Sequence, residues 1–203
     1  MKIICIAQNY TEHNREMHSE AEKQPVFFLK ADSCLNKGHN PFFIPGFSDD
    51  VHYEVEVVLR IGKLGRSIQK KFAHRYYDAI SVGIDFTARD LQRECKQKGL
   101  PWEISKSFDQ SAWVGKWIDP APLKSHENLN FWLKKNDKTV QSGYTYDMIF
   151  SPDNIIAFVS RYMTLKTGDL IFTGTPKGVG PVQTNDFLTA GIANNTLLQC
   201  KIK

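Results

Sequence analysis

The clearest hydrophobic pattern in the chain is an alternation of apolar and polar positions from Val51 to Ile61. Because successive side chains of a β-strand point to opposite faces, this period of two predicts one continuous strand. The first face is apolar or aromatic and is predicted to pack in the core; it carries Val51, Tyr53, Val55, Val57, Leu59 and Ile61. The opposite face carries His52, Glu54, Glu56, Val58 and Arg60.

The two glutamates of this strand lie on one face, about 7 Å apart along the strand, and admit two interpretations. One is a solvated outer face with incidental acids, which is common for sheets exposed on one side. The other is half of a divalent metal site, because neighbouring anions repel unless a cation joins them and Mg²⁺ prefers carboxylate oxygens. The apolar Val58 on the same face favours the metal site.

The rest of the pattern predicts short strands and few helices. Apolar runs predict strands near residues 1–7, 25–30, 40–46, 80–85 and 170–172, and a hairpin over 129–141 with its turn at Asn136-Asp137. Helices are predicted after a cap at Asn9 or Thr11, over 72–79, from Thr87, and from Ser151 with Pro152 at the first helical position.

A third acid stands where a predicted strand meets a predicted helix. The apolar strand from Ile80 ends at Asp85, and Thr87 with Asp90 three residues later forms an acidic version of a capping box. Asp85 is therefore either a metal ligand or an alternative helix cap.

Two other polar features suggest catalytic chemistry. His13 and Glu16 are three residues apart in a predicted helix, where a carboxylate beside an imidazole makes a general base, or an incidental surface pair. The polar residues 19–24 that follow could be mobile, as lids are. Lys106 is either a solvated lysine or a point charge for a carboxylate or a developing enolate.

The glycine-rich loop 173–180 lacks the Walker A pattern and is either a structural turn or an anion cradle.

Composition narrows the function classes. The 203 residues suit one large domain, or a domain with a small appendage, and the net charge of +4 is mild and scattered, which argues against nucleic acid and favours small anionic substrates. Four cysteines without a C-x-x-C motif predict buried thiols in a reducing cytosol. No apolar run approaches the roughly 20 residues of a membrane helix, and the first apolar run is too short for a signal peptide. The sequence therefore predicts a cytoplasmic protein without a membrane partner.

Five short segments, taken in order, resemble the motifs of the fumarylacetoacetate hydrolase family. They are N-Y-x-x-H-x-x-E at 9–16, Y-E-V-E-V at 53–57, D-F-T-A-R-D-L-Q at 85–92, K-S-F-D at 106–109 and T-G-T-P-K-G-V-G at 173–180. Each segment alone is a weak signal, whereas all five in the family's order are highly specific. The run 94–102 is also similar to the small acylpyruvase and oxaloacetate decarboxylase branch.

The resemblance implies a fold and a set of site residues. The expected fold is α+β but mainly β, a mixed β-roll or sandwich with a few short helices, in which residues 1–203 form one catalytic domain, 9–24 form a lid and two chains form a homodimer. The motif matches imply the following roles: Glu54, Glu56 and Asp85 as ligands of Mg²⁺ or Mn²⁺, His13, Glu16 and Lys106 as catalytic residues, and Gln92, Thr175 and Arg89 as substrate-binding residues.

The activity implied is metal-dependent cleavage of a carbon–carbon bond in small 2-oxo acids. It covers acylpyruvate hydrolysis and oxaloacetate decarboxylation, both of which pass through a metal-bound pyruvate enolate. The alternative within the family is an isomerase or tautomerase of 2-hydroxy-diene-dioates, of the 2-hydroxyhepta-2,4-diene-1,7-dioate isomerase type. A metal- or oxo-acid-binding protein without turnover, and a purely structural protein, are the alternatives outside enzymes.

Overall fold

The computed structural model of the protein describes residues 1–19, 22–36 and 41–203. Its strands are β1 (Ile3–Ala7), β2 (Val26–Lys30), β3 (Leu35–Asn36), β4 (Val51–Tyr53), β5 (Val55–Ile61), β6 (Tyr77–Asp85), β7 (Thr87–Ala88), β8 (Ala112–Val114), β9 (Asn130–Lys135), β10 (Lys138–Tyr144), β11 (Leu170–Phe172), β12 (Gly180–Pro181), β13 (Phe187–Ile192) and β14 (Asn195–Lys201). Its α-helices are α1 (Thr11–Glu16), α2 (Arg89–Lys98), α3 (Glu103–Lys106), α4 (Ala121–Lys124) and α5 (Pro152–Tyr162), with 3₁₀ turns at Asp32–Cys34, Lys70–Arg75 and Thr145–Asp147.

The strands form three sheets. A mixed seven-stranded sheet has the order β2-β1-β11-β5-β6-β8-β3, with β1 parallel to β11 and β3 parallel to β8. An antiparallel four-stranded sheet has the order β10-β9-β13-β14, and a small sheet has the order β12-β4-β7. This architecture confirms the predicted fold, which is mainly β with mixed, curled sheets and short helices.

Both faces of the seven-stranded sheet are buried. One face packs against the four-stranded sheet, and this main core includes Val57, Leu59, Val82, Leu133 and Ala190. The other face carries a second apolar cluster formed by Ile3, Cys5, Cys34, Val58, Ala112, Val114, Leu170 and Phe172. Each fully buried aliphatic side chain stabilises the fold by about 1.5–3 kcal/mol. The interpretation of the glutamate face as a solvated outer face is therefore wrong, because Val58 and Glu56 point into the molecule.

The predicted continuous strand from Val51 to Ile61 is broken at Glu54. Its first three residues, β4, pair with β12 and β7, whereas β5 pairs with β6 and β11 in the large sheet. Hydrogen bonds to distant parts of the chain form at the break: the backbone N–H of Val55 donates to the side-chain Oε1 atom of Gln141 at 2.9 Å, and the carbonyl of Glu54 accepts from Asp85 N at 2.8 Å. The chain therefore changes sheets at the first of the two glutamates.

Several local predictions are confirmed. Strands β1, β2, β6 and β11 lie where the apolar runs indicated, and the 130–144 hairpin turns at Asn136 and Asp137 with φ of 51° and 65°. Helix α5 begins at Pro152, and the Ser151 hydroxyl accepts from Asn154 N. The four cysteines are free and buried.

Other local predictions are wrong. Helix α1 has no side-chain cap, because Asn9 instead donates to the carbonyls of Phe150 and Thr173. Thr87 lies in strand β7 and caps nothing, since α2 begins two residues later without a side-chain cap.

Two further predicted elements, one helix and one strand, differ from the observed ones in type or in length. The predicted helix over 72–79 is a 3₁₀ turn at Lys70–Arg75 followed by β6. The predicted strand over 40–46 is reduced to an isolated bridge between Phe42 and Ile202, while residue 40 lies outside the described residues. On α5, Ile155, Ile156 and Val159 are buried, whereas Tyr162 is exposed. Within the described ranges, no helix is long and apolar enough to cross a membrane.

Candidate functional site

Three buried carboxylates meet where β4, β5 and β6 converge. Glu54 occupies the break between β4 and β5, Glu56 lies in β5, and Asp85 ends the neighbouring antiparallel strand β6. One carboxylate oxygen from each residue lies within 4.8 Å of the others, and the residues are 5, 2 and 1% exposed. The structure thus brings together the three acids that the sequence proposed as a ligand set.

Three buried cations surround these acids. Arg89 Nη2 lies 2.5 Å from Glu54 Oε1, and Lys106 Nζ lies 2.8 Å from Glu54 Oε2 and 2.9 Å from Asp85 Oδ2. Lys30 Nζ lies 2.7 Å from Asp85 Oδ1. These two atoms form an ion pair, but their geometry does not meet the angles of a hydrogen bond. Because a buried charge is costly unless it is paired, these contacts offset the cost of burying Glu54 and Asp85 among their cationic neighbours.

Lys106 is therefore not a solvated lysine. Its Nζ atom also donates to the Thr87 hydroxyl at 2.6 Å. Although burial alone would lower it, the pKa of Lys106 is raised by the carboxylates of Asp85 and Glu54. Conversely, burial alone would raise the pKa of Glu54, but Lys106 and Arg89 hold it well below its usual range. These two residues are consequently both charged at neutral pH.

Glu56 differs from its two neighbours because no ion pair to it is found among the described residues. Its Oε2 atom accepts the backbone N–H of Gly174 at 2.7 Å. Burial, followed by the negative charges of Asp85 and Glu54, raises the pKa of the Glu56 carboxyl well above its usual range. A dication beside it would relieve this repulsion, and three hard carboxylate oxygens are the donors that Mg²⁺ and Mn²⁺ take. The residues present therefore fit a divalent metal ion.

His13 forms part of the same cavity wall, and Glu16 contacts it. His13 Nδ1 lies 3.2 Å from Glu16 Oε2, and the imidazole lines the cavity together with the three acids. Burial lowers the pKa of His13, and the nearby Glu54 and Glu16 offset this only in part. The imidazole is therefore neutral near pH 7 and able to accept a proton. Of the predicted lid, residues 9–19 and 22–24 are described, and residues 20–21 lie outside the described residues.

The three residues that the resemblance assigned to substrate binding also line this cavity. Arg89 Nη1 donates to Gln92 Oε1 at 2.5 Å, so these two side chains on α2 hold each other in place. The Thr175 hydroxyl accepts from Gln141 Nε2 at 2.9 Å.

The glycine-rich loop donates to carboxylates of the chain itself. Gly174 N–H bonds Glu56, and Gly178 N–H bonds both oxygens of Glu16 at 3.1 Å. Both glycines have φ near +100°, which disfavours other residues. The loop is thus an anion cradle whose occupants are Glu56 and Glu16.

Sequence reasoning missed Lys30 and Gln141. Lys30 is 2% exposed and donates to the Phe86 carbonyl and to the Ser111 hydroxyl as well as pairing with Asp85. The only available signal was a lysine at the end of an apolar strand, where alternation places it on the same face as Phe28. Gln141, 1% exposed, bonds Val55, Thr175 and Pro176, and nothing in the hairpin pattern indicated this.

Comparisons with known proteins identify the family of the chain. The fumarylacetoacetate (FAA) hydrolase C-terminal family matches residues 2–202. A mitochondrial oxaloacetate tautomerase of Bos taurus is 41% identical over 201 residues, covering 99% of this chain and 91% of the relative. A mitochondrial oxaloacetate decarboxylase of Dictyostelium discoideum is 40% identical over 192 residues, covering 94% and 88%.

The crystal structure of fumarylpyruvate hydrolase from Pseudomonas aeruginosa in complex with Mn²⁺ and pyruvate superposes with a TM-score of 0.92 at 31% identity, covering 100% of this chain and 89% of that one. Family match, relatives and solved structure therefore point the same way along nearly the whole chain. The chain belongs to the fumarylacetoacetate hydrolase family.

Proposed function

We propose that the protein is a divalent-metal-dependent enzyme that cleaves a carbon–carbon bond in small 2-oxo acids, by acylpyruvate hydrolysis, oxaloacetate decarboxylation or both. The observation that carries the proposal is the meeting of Glu54, Glu56 and Asp85 in one cavity with Lys106 and with His13, which Glu16 contacts. The names of the relatives, which act on oxaloacetate or fumarylpyruvate, support the same substrate class.

Glu54, Glu56 and Asp85 would hold Mg²⁺ or Mn²⁺. When bound, the ion supplies a Lewis acid that polarises the 2-oxo group of the substrate. Lys106, already positioned by Glu54 and Asp85, provides a fixed positive charge where the pyruvate enolate develops. Both cleavage reactions generate this enolate, so one electrostatic site serves both.

His13 distinguishes the two reactions. In hydrolysis of a 2,4-dioxo acid, the neutral imidazole, oriented by Glu16, takes a proton from the water that attacks the 4-carbonyl. Decarboxylation needs no water nucleophile. Gln92 and Thr175 are assigned to the carboxylate and carbonyl oxygens of the substrate, whereas Arg89, which bonds both Glu54 and Gln92, orients the site.

The test is a substrate panel on the purified protein. Acetopyruvate, fumarylpyruvate and oxaloacetate are incubated with Mg²⁺, with Mn²⁺ or with EDTA, and pyruvate release is measured. Metal-dependent pyruvate release from at least one substrate, lost with EDTA, is the expected result. Unchanged substrates with both metals would refute the proposal and favour a binding protein without turnover.

A second candidate is tautomerisation of oxaloacetate, favoured by the name of the Bos taurus relative. The same neutral His13 could carry a proton between oxygen and carbon of the enol, and the isomerase alternative from the sequence needs a similar transfer. Loss of the enol's ultraviolet absorbance without release of CO₂ or pyruvate would identify this activity.

We also propose that residues 1–203 act as one catalytic domain within a homodimer, on the strength of the resemblance. Light scattering coupled to size exclusion measures the oligomer directly, and a monomer at micromolar concentration would contradict the proposal. Cytoplasmic placement stays a prediction, because both named relatives are mitochondrial.

A further inference from the structure

Helix α2 presents one face to the cavity. Arg89, Gln92 and Lys96 are spaced three and four residues apart, so they lie on the same side of the helix, and all three line the cavity that holds the acids. Arg89 bonds Glu54, Gln92 bonds Arg89, and Lys96 follows one turn further along. Seven residues of helix place the backbone of Lys96 about 10 Å beyond that of Arg89.

Lys96 differs from the other cations of this cavity. Arg89 and Lys106, which also line the cavity, each pair with the carboxylate of Glu54. Within residues 1–19, 22–36 and 41–203, no carboxylate lies in ion-pair range of Lys96 Nζ. Its ammonium instead lies over the ring of Trp102, 5.6 Å from the ring centroid. The side chain of Lys96 remains accessible to solvent.

The surroundings of Lys96 favour an incoming anion. Partial burial and the positive charges of Arg89 and Lys106 lower the pKa of Lys96, and Glu54 compensates only in part. An ammonium held among other cations without a counter-ion is stabilised when an anion binds beside it. The aromatic ring of Trp102 fixes the ammonium without neutralising it.

We propose that Lys96 determines substrate specificity by binding the carboxylate at the far end of acylpyruvates whose acyl chain itself ends in a carboxylate. This inference rests on the proposed function, because it assumes that the 2-oxo acid end binds at Glu54, Glu56 and Asp85. The helical offset of about 10 Å suits a distal carboxylate better than a neighbouring one. In oxaloacetate the second carboxylate must leave as neutral CO₂, and a cation bound to it would oppose that loss of charge.

The kinetic test compares two 2,4-dioxo acids that share the reacting end. Acetopyruvate has an uncharged acyl end, whereas fumarylpyruvate has a carboxylate there. In Lys96→Gln we expect the ratio of KM for fumarylpyruvate to KM for acetopyruvate to rise about tenfold, which is the usual worth of one hydrogen bond to a charged group. Lys96→Arg should restore most of the ratio. Lys98→Gln is the matched control, since Lys98 on the same helix pairs with exposed Glu94 at 2.5 Å.

A binding test separates this inference from the proposed function. Calorimetry with 2-oxoadipate and with 2-oxohexanoate, in the presence of Mg²⁺, compares a dianion with a monoanion of equal chain length and needs no turnover. The wild-type protein should bind the dianion about tenfold more tightly, and Lys96→Gln should remove that preference. Absent turnover of the panel would sink the proposed function alone. A preference that is missing in the wild-type protein, or that survives in Lys96→Gln, would overturn the role of Lys96.

Discussion

Glu16 fastens helix α1 to the glycine-rich loop through Gly178, whose backbone nitrogen lies 3.1 Å from both carboxylate oxygens. The same carboxylate contacts His13 Nδ1 at 3.2 Å. One side chain therefore orients the proposed base and fixes the helix that carries it. The two functions can be separated by substitution, because a glutamine keeps an oxygen for Gly178 and loses the charge beside His13.

Glu16→Ala should lower kcat for acylpyruvate hydrolysis about 100-fold, the lower end of the range for general-base catalysis. Glu16→Gln should lose less, since it still positions α1 on the loop. Steady-state kinetics with acetopyruvate provide the measurement. The dyad assignment fails if both variants retain wild-type kcat.

His13→Ala should reduce acylpyruvate hydrolysis by about 10²–10⁴-fold and affect oxaloacetate decarboxylation far less. The reason is that only hydrolysis requires an activated water. Both rates are measured on one preparation, with pyruvate as the common product. Equal losses in the two reactions would refute the water-activation role.

The pH dependence of hydrolysis should reflect the lowered pKa of His13. The acid limb of kcat/KM is expected to have its midpoint below about 6.5, the ordinary histidine value, because activity is lost only when the buried imidazole gains a proton. His13 affects the free energy of unfolding in the same pH direction. Its contribution to stability is present above the unfolded-state pKa and is lost as pH falls through the lower folded-state pKa. A midpoint above 6.5 that His13→Ala abolishes would contradict the direction of this shift.

Glu56→Gln should abolish Mg²⁺-dependent turnover and weaken Mg²⁺ binding by more than about 100-fold, since losing a direct ligand exceeds the usual cost of losing its supporting contacts. The metal-free variant should be at least as stable as the wild-type protein. Glutamine can still accept from Gly174, and it removes a carboxyl that burial, Asp85 and Glu54 disfavour in its charged form.

Calorimetric Mg²⁺ titration and thermal unfolding measure the two effects, with exposed Glu94→Gln as the control. An active Glu56→Gln enzyme with normal Mg²⁺ affinity would remove Glu56 from the metal site.

Lys30→Met should destabilise the protein by about 3–5 kcal/mol, because it leaves Asp85 with one buried cation fewer. Urea unfolding of the metal-free protein measures the loss. Lys98→Met, at an exposed ion pair on α2, should cost less than about 1 kcal/mol. A small effect at Lys30 would show that Lys106 alone compensates Asp85.

Alternation predicted the main strands because it is a local property of the sequence, and Glu54, Glu56 and Asp85 could be proposed as a set once the motifs were combined. The break at Glu54 could not be predicted, since it depends on a bond from Val55 to Gln141, 86 residues further along the chain. The capping box at Thr87 failed for a related reason: its hydroxyl accepts from Lys106 across the site. Lys30 escaped notice because its partners lie 55 to 81 residues further along the chain.

Strand β1 lies inside the large sheet, where Ile3, Ile4 and Cys5 pair in parallel with Leu170, Ile171 and Phe172. Glu56 likewise depends on a donor at Gly174. During synthesis on a ribosome, the earliest segment must therefore wait for nearly the whole polypeptide to emerge before its final neighbours exist. A truncated nascent chain ending before residue 170 would expose apolar strands that are prone to aggregate. We therefore expect this fold to benefit from chaperones that bind growing chains.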